Sequence, residues 1–253
     1  MKQSPTNDAR EFWNRRAETF PRYDPREITY ESGMLDRMQT MGVDFSGKRI
    51  LDVGCGAGQF TIRLGMMAEA VTGLDVSEKM LAVLQEDAEK YHIKNIDYVR
   101  SDWLDFKPHK PYDMVFCTMT PALRADEGKE QLLTYTGAQV VYMGFQERHH
   151  SDMLREFYAL YGEEARGCDS AVFMKAWLDE KKIAYKRETV TGQWESHTSF
   201  EDAVSRLMAS GFNFENPPTE EAVRKFIQPM VNEDGAIFEV SKYVIDIMVW
   251  NNA

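Results

Sequence analysis

The chain of 253 residues has few cysteines and no long apolar run. Its three cysteines, Cys55, Cys117 and Cys168, are scattered and show no metal-type spacing, which predicts free thiols in a reducing compartment. No stretch approaches the roughly 20 apolar residues of a membrane span. The first twenty residues are polar and charged, unlike a secretory signal. We therefore expect a cytoplasmic protein without a membrane partner.

Basic residues are also scarce. The chain has 30 Lys and Arg against 41 Asp and Glu, which gives a formal net charge of -11. Because a basic face supplies most of the affinity for nucleic acids, this balance disfavours a nucleic-acid partner. None of the five histidines pairs with cysteines or carboxylates at the spacing of metal ligands, so we expect no bound metal.

The apolar residues alternate between strand-length runs and helical periodicity. This alternation predicts an α/β fold with a doubly wound, mostly parallel, seven-stranded sheet that helices cover on both faces. The expected strands are 49–53, 70–76, 96–102, 112–118, 138–145, 184–194 and 236–250. The expected helices are 58–68, 78–92, 127–135, 152–162 and 170–183.

A chain of 253 residues fits one domain with embellishments or one large and one small lobe, and we expect residues 1–253 to form one domain. After the fifth strand the alternation changes, and a helical insertion of about 197–234 separates the last two strands. This insertion, residues 146–168 and an N-terminal helix over 8–30 are expected to form a helical cap.

A glycine-rich turn follows the first predicted strand, in the stretch "RILDVGCGAGQF" (49–60). The apolar run ends at Asp52, and Gly54, Gly56 and Gly58 come next. Because glycine has no side chain, such a turn lets a ligand approach the backbone closely. The neighbouring residues indicate which ligand this is.

Two common ligands of glycine-rich turns fit poorly. A phosphate loop needs a lysine and a Ser or Thr after its last glycine, where this chain has Gln59 and Phe60. Gln59 also replaces the third glycine of the dinucleotide fingerprint. An acid, Asp75, ends the second predicted strand, where it can accept hydrogen bonds from ribose hydroxyls. The pattern thus favours a ligand that has a ribose and needs no pyrophosphate.

Four stretches, in order, resemble the motifs of class I S-adenosylmethionine-dependent methyltransferases. They are "LDVGCGAGQF" (51–60), "VTGLDVSEKML" (71–81), "VRSDWLDF" (99–106) and "YDMVFCTMTPAL" (112–123). The resemblance implies that S-adenosylmethionine is the cofactor, that S-adenosylhomocysteine is its product, and that a small molecule accepts the methyl group.

The resemblance also implies a set of cofactor-binding residues. They are Trp13, Phe20, Asp52, Gly54, Cys55, Gly56, Gln59, Asp75, Val76, Met80, Ser101, Asp102, Trp103, Cys117 and Thr118. In the family's arrangement, Gly54 and Gly56 let the backbone touch the methionine part, and Asp52 lies near its ammonium. Asp75 binds the ribose and Asp102 binds the adenine amino group.

Further roles follow from the same resemblance. Val76 and Met80 would pack against adenine with Trp103 beside the ring, and Cys117 and Thr118 would lie near the sulfonium. Purely structural roles stay open for some of these residues, because Trp103 and Met80 can be core side chains. Likewise, Asp75 can cap the next helix and Asp102 can be a turn residue.

The N-terminal stretch "REFWNRRAETF" (10–20) resembles the helix that many small-molecule members place over the cofactor. Phe12, Trp13 and Phe20 fall on nearly one face of such a helix. We expect it to act as a lid that excludes water. The alternative is an ordinary packed helix.

The acceptor is less defined. The turn "CTMTPAL" (117–123) lacks the Asn-Pro-Pro-aromatic signature used on adenine, cytosine or glutamine amides, which disfavours DNA and protein-amide substrates. Candidate general bases are His149, His150 and His197, although each can equally be a solvated or structural residue. The two apolar helical faces of the insertion must be buried, either in the core below or against a pocket between the cap and the sheet, and we expect an apolar acceptor pocket.

Other functions remain open. One is a non-catalytic protein that binds the cofactor as a sensor or partner subunit. Another is an enzyme of the same fold with a different group-transfer reaction, such as aminopropyl transfer or carboxymethyl-cofactor formation. A nicotinamide dehydrogenase is disfavoured by Gln59.

Overall fold

The structure is a computed structural model that describes residues 5–108, 110–148, 150–165, 167–212 and 214–252. The chain divides into two compact units, where the sequence predicted one domain. Unit 1 comprises Met1–Gly144, Phe173–Glu188 and Asp246–Ala253, and unit 2 comprises Phe145–Val172 and Thr189–Ile245. No stretch rich in Gly, Ser or Pro marks the boundary, but the change of alternation after the fifth predicted strand coincides with the start of unit 2 at Phe145.

One seven-stranded sheet has the order β3-β2-β1-β4-β5-β7-β6. Its strands are β1 Arg49–Val53, β2 Ala70–Asp75, β3 Ile96–Arg100, β4 Met114–Thr118, β5 Gln139–Arg148, β6 Lys186–Ser199 and β7 Ala236–Asn251. β1 pairs in parallel with β2 and β4, β2 with β3, and β4 with β5. The predicted doubly wound, seven-stranded sheet is confirmed, and its order reverses at β1 and β4.

Helices connect these strands. They are α1 Pro5–Arg16, α2 Tyr30–Thr40, α3 Gln59–Met67, α4 Glu78–Lys90, α5 Asp126–Leu132, α6 Asp152–Leu160, α7 Ser170–Glu180, α8 Phe200–Ser210 and α9 Glu220–Ile227. None of the helices within the described residues has the length and apolar character needed to cross a membrane.

The core of unit 1 follows from the apolar runs at the centre of the sheet. Ile50 and Leu51 in β1 and Val115 in β4 are fully buried. Gly58 directly precedes α3 with a φ of +84°, and a Cβ on it would lie 2.1 Å from Leu84 Cδ1 on α4. Glycine is therefore required there by both the backbone conformation and the packing of the two helices.

The predicted single helix over 8–30 is wrong. α1 ends at Arg16, an irregular segment follows, and α2 begins at Tyr30. Pro21 and Pro25 lie in the irregular segment, where each lacks the N–H that a continuing helix needs. Thr29 then caps α2 by accepting a hydrogen bond from the Ser32 amide.

Unit 2 has its own apolar core. Phe157 of α6 packs with Val204 and Leu207 of α8 and with Val223 and Ile227 of α9. Residues 146–168 and the insertion thus share one body, as expected, whereas the N-terminal helix belongs to unit 1. The apolar faces of α8 and α9 are buried in this common cluster.

Candidate active site

A cavity of about 610 Å³ opens in unit 1 where β1, β2 and β4 end. Crevices at the point where strand order reverses are the usual ligand sites of doubly wound sheets. Its wall contains every predicted cofactor-binding residue except one. The predicted residues that line the cavity are Trp13, Phe20, Asp52, Gly54, Cys55, Gly56, Gln59, Asp75, Val76, Met80, Ser101, Asp102, Trp103 and Thr118.

The glycine turn and the acid after β2 are joined directly. The Asp75 carboxylate accepts hydrogen bonds from the backbone N–H of Gly56 at 2.9 Å and of Ser77 at 2.8 Å. Burial raises the pKa of Asp75, and these backbone hydrogen bonds oppose that rise. A Cβ on Gly56 would have only the Phe20 ring within 4 Å, at 3.9 Å, so the turn leaves open space at this residue.

Asp52 lies deeper, at 2% exposure. Its Oδ2 accepts a hydrogen bond of 2.7 Å from the Thr61 hydroxyl. Burial raises the pKa of Asp52 to about 7, the Thr61 hydrogen bond lowers it, and the nearby charge of Asp75 raises it. A cation placed beside Asp52 would favour the charged carboxylate.

The residues that follow β3, Asp102 and Trp103, form structural contacts and also line the cavity. The Trp103 indole N–H donates to the Gly128 carbonyl at 2.8 Å, and its ring stacks on Tyr135. Asp102 Oδ1 accepts from the Leu104 amide at 2.9 Å, which is a turn contact. Trp103 and Asp102 therefore have the structural roles that the sequence left open, and both also line the cavity.

Met80 similarly belongs to a small apolar cluster with Ala17 and Ala57, while it also lines the cavity. Trp13 and Phe20 pack against this cluster, with ring centroids 6.4 Å apart. Both rings thus cover part of the cavity wall although only Trp13 is helical.

A row of polar contacts holds the N-terminal segment on α4. The Ser77 hydroxyl donates to Asn14 Oδ1 at 2.7 Å, and Asn14 Nδ2 donates to Glu78 Oε1 at 2.8 Å. Arg22 donates through Nη2 and Nε to the buried carboxylate of Asp87, at 2.7 and 3.1 Å from Oδ1. These contacts position Trp13 and Phe20 at the cavity.

The assignment of Cys117 to the site was wrong. Its side chain is fully buried and does not line the cavity, whereas Thr118 does. Cys117 directly precedes Thr118 in β4, so its side chain points to the opposite face of the sheet, where it is buried in the core. Burial raises the pKa of the Cys117 thiol well above its usual value.

Several lining residues were missed. They are Ala9, Tyr30, Glu31, Val53, Phe60, Leu74, Leu104, Met119, Thr120, Pro121, Ala122 and Ala125. The turn after β4 was a recognisable signal for those at 119–122, and Met119 has a φ of +52°, which is unusual for a non-glycine residue. Tyr30 and Glu31 belong to α2, which the sequence analysis did not predict.

Two of the candidate histidines, His150 and His197, do not line this cavity. His150 and His197 belong to unit 2, whereas the lining residues come from unit 1. The His197 ring packs on Phe238 at 5.2 Å, and His149 lies outside the described residues. Across the described part of the chain, no three His, Cys, Asp or Glu side chains are grouped to hold a metal ion.

Residues 50–136 match the family model described as a methyltransferase domain. Over 108 residues the chain is 29% identical to a ubiquinone biosynthesis O-methyltransferase of Rickettsia bellii, covering 42% of this chain and 43% of the relative. Over 132 residues it is 26% identical to a tRNA (guanine(10)-N2)-dimethyltransferase of Methanothermobacter thermautotrophicus, covering 51% and 38%. The chain thus spans less than half the length of these curated relatives.

The structure is also similar to magnesium protoporphyrin IX methyltransferase from Synechocystis PCC 6803, solved with bound SAH. The TM-score is 0.56, the identity is 13%, and the match covers 98% of this chain and all of the other. At this identity the similarity concerns the fold. Residues 50–136 thus match a methyltransferase domain, and the sheet order together with this similarity shows that the chain has the fold of class I methyltransferases.

Proposed function

We propose that the protein binds S-adenosylmethionine in this cavity and transfers its methyl group to a small-molecule acceptor. The charge of the wall is the observation that carries the proposal. Within the described residues, the cavity is lined by the carboxylates of Glu31, Asp52, Asp75 and Asp102 and by no Lys, Arg or His. Such a wall suits a ligand with a sulfonium and an ammonium group.

The lining residues fit the different parts of this cofactor. The exposed edge of the turn at Gly56 accommodates a group close to the backbone, and Asp75 beside it would bind the ribose hydroxyls. Asp52 would bind the ammonium, and Asp102 would accept a hydrogen bond from the adenine amino group. Met80 supplies an apolar surface for the adenine ring.

The chain's own residues contribute binding, orientation and exclusion of water. When bound, the cofactor supplies a methyl group on a positively charged sulfur. Orientation alone can supply roughly 7–11 kcal/mol in favourable cases. Trp13 and Phe20 would limit the access of water from the N-terminal side.

A small-molecule acceptor is supported by the acidic composition and by relatives named for ubiquinone biosynthesis and magnesium protoporphyrin IX. The relative named for tRNA represents the competing substrate class. A cytoplasmic location remains part of the proposal, and it rests on the scattered cysteines.

Two measurements test this function. Calorimetry should detect binding of S-adenosylhomocysteine and little binding of NAD, whereas tight NAD binding alone would contradict the proposal. Incubation of metabolite extracts with S-adenosylmethionine should then give products heavier by one methyl. Cofactor binding without any methylated product would favour the non-catalytic alternative, and faster methylation of RNA, DNA or intact proteins would contradict a small acceptor.

A further inference from the structure

One carboxylate of the cavity differs from the other three. The Asp52 carboxylate accepts a hydrogen bond from the Thr61 hydroxyl, and the Asp75 carboxylate accepts hydrogen bonds from two backbone amides. The Asp102 carboxylate accepts a hydrogen bond from the Leu104 amide. Among the described residues, none forms a hydrogen bond or ion pair with the half-buried Glu31 side chain. Glu31 therefore has an acceptor group in the cavity wall that no contact within the described fold uses.

The backbone of Glu31 is nevertheless held firmly. Thr29 caps α2, and its hydroxyl also accepts a hydrogen bond of 3.1 Å from Arg63 Nη2 on α3. The same Arg63 nitrogen donates to the carbonyls of Asp24 at 2.8 Å and Arg26 at 2.9 Å. The first turn of α2 is thus anchored to α3, and this fixes the backbone position of Glu31. The Glu31 carboxylate takes no part in these contacts and can bind a ligand.

Glu31 also approaches the cavity from a different element. Asp52 lies on β1, Asp75 ends β2, and Asp102 follows β3, so these three acids lie along adjacent strands. The proposed function assigns those three to the cofactor. Glu31, on α2, is the cavity carboxylate that has no role in cofactor binding, so it can bind the second substrate, which is the methyl acceptor.

The residues around Glu31 indicate which chemical class of acceptor the cavity can bind. Tyr30, Phe60, Met119 and Pro121 contribute apolar surface to the same cavity. No Lys, Arg or His in the described wall could balance a carboxylate or phosphate on the acceptor. A cationic group on the acceptor is favoured beside Glu31, because it can form a charge-assisted hydrogen bond with a carboxylate that has no other partner among the described residues.

We propose that the acceptor is a small apolar amine and that Glu31 binds its protonated nitrogen. Glu31 also accepts the proton that this nitrogen must lose before methyl transfer. This inference rests on the function proposed above. Proton transfer to the carboxylate frees the nitrogen lone pair, which forms the new bond to the methyl carbon. The bond between that carbon and sulfur breaks, and its electron pair stays on sulfur as a neutral thioether. Glu31 is half-buried, so the proton then passes to solvent.

A matched set of probes tests the charge preference. The probes are 2-phenylethylamine, 2-phenylethanol and 3-phenylpropionate, each titrated by calorimetry into protein saturated with S-adenosylhomocysteine. The amine should bind at least about tenfold more tightly than the alcohol, because only the amine can form a charge-assisted hydrogen bond in which both groups are ionised. The acid should bind more weakly still.

Glu31→Gln should abolish the preference for the amine and leave the affinity for the alcohol unchanged. Glu27→Gln is the matched control, because Glu27 is an exposed acid four residues earlier in the chain. With an amine that is methylated, Glu31→Gln should lower kcat, and Glu31→Asp should restore part of it.

The outcomes separate this inference from the proposed function. If S-adenosylhomocysteine does not bind the unmodified protein, the proposed function is wrong and this inference falls with it. If S-adenosylhomocysteine binds, equal binding or no binding of the three probes would overturn the role of Glu31 alone. An amine preference that persists in Glu31→Gln would overturn it as well.

Discussion

The backbone N–H of Gly56 donates a 2.9 Å hydrogen bond to the carboxylate of Asp75. Gly56 follows β1 and Asp75 ends β2, and Val53 pairs with Leu74 in these neighbouring parallel strands. The contact fixes the direction of the carboxylate and the shape of the turn together. The ligand site is therefore formed largely by the fold itself.

Asp75→Ala should lower the affinity for S-adenosylhomocysteine by at least about tenfold. The variant loses charge-assisted hydrogen bonds to the ribose, each worth roughly 1.5–3 kcal/mol, and frees the Gly56 amide from its partner. Calorimetry measures the affinity, and a thermal melt verifies that the variant is folded. Asp97→Ala, which removes an exposed acid on β3, is the control and should bind normally. Unchanged binding by Asp75→Ala would show that the ribose assignment is wrong.

Two glycines of the same turn should respond differently to alanine. Gly58→Ala places a Cβ against Leu84 at a positive φ and should cost about 2–5 kcal/mol of the free energy of unfolding. Gly56→Ala meets open space and should cost about 1 kcal/mol, but its methyl group should weaken cofactor binding. Urea unfolding and calorimetry of both variants test this contrast. An equally large loss of stability in the two variants would contradict it.

Cofactor binding should strengthen as the pH rises through about 7. Asp52, whose pKa is raised to about 7 mainly by burial, is partly protonated in the free protein at neutral pH. An ammonium beside it favours the charged form, so binding releases a proton and the affinity falls by up to about tenfold between pH 7.5 and pH 6. Calorimetry in buffers of different ionisation enthalpy measures the released proton. Asp52→Asn should bind more weakly and lose this pH dependence, and a pH dependence that persists would point to another group.

Arg22→Ala should loosen the N-terminal segment. Asp87 is buried and would lose its guanidinium partner, while the Arg22 side chain is half-exposed, so we expect a loss of about 1–2 kcal/mol. Hydrogen exchange of residues 10–25 should become faster in the variant, and S-adenosylhomocysteine should slow it in the unmodified protein. Arg26→Ala, which removes only an exposed contact with Asp24, is the control. Exchange that is unaffected by ligand would favour an ordinary packed helix over a lid.

The sequence was most informative where a local requirement fixes the residue type. Gly58 needs a positive φ and a close approach to Leu84, and Asp75 ends a buried strand, so both could be recognised without the fold. The helix α2 was missed because its capping residue Thr29 pairs with Ser32 rather than with the usual Glu or Gln.

Other errors arose from relationships that the sequence does not contain. Cys117 and Thr118 are adjacent in β4, and which of the two side chains faces the cavity depends on how the rest of the fold packs around this strand. His150 follows β5 closely in the chain, yet it belongs to the second unit, and this division depends on contacts between distant residues. Glu31 was missed because it reaches the cavity through the packing of α2 on α3.

The division of the chain has a consequence for protein engineering. The chain passes between the units four times, within β5, α7, β6 and β7, and none of these crossings lies in a loop. Proteases that cut exposed loops would therefore find no linker whose cleavage releases unit 2 as a fragment. A chimera that keeps this cavity and takes unit 2 from another protein would need four junctions, three of them with the strand register preserved.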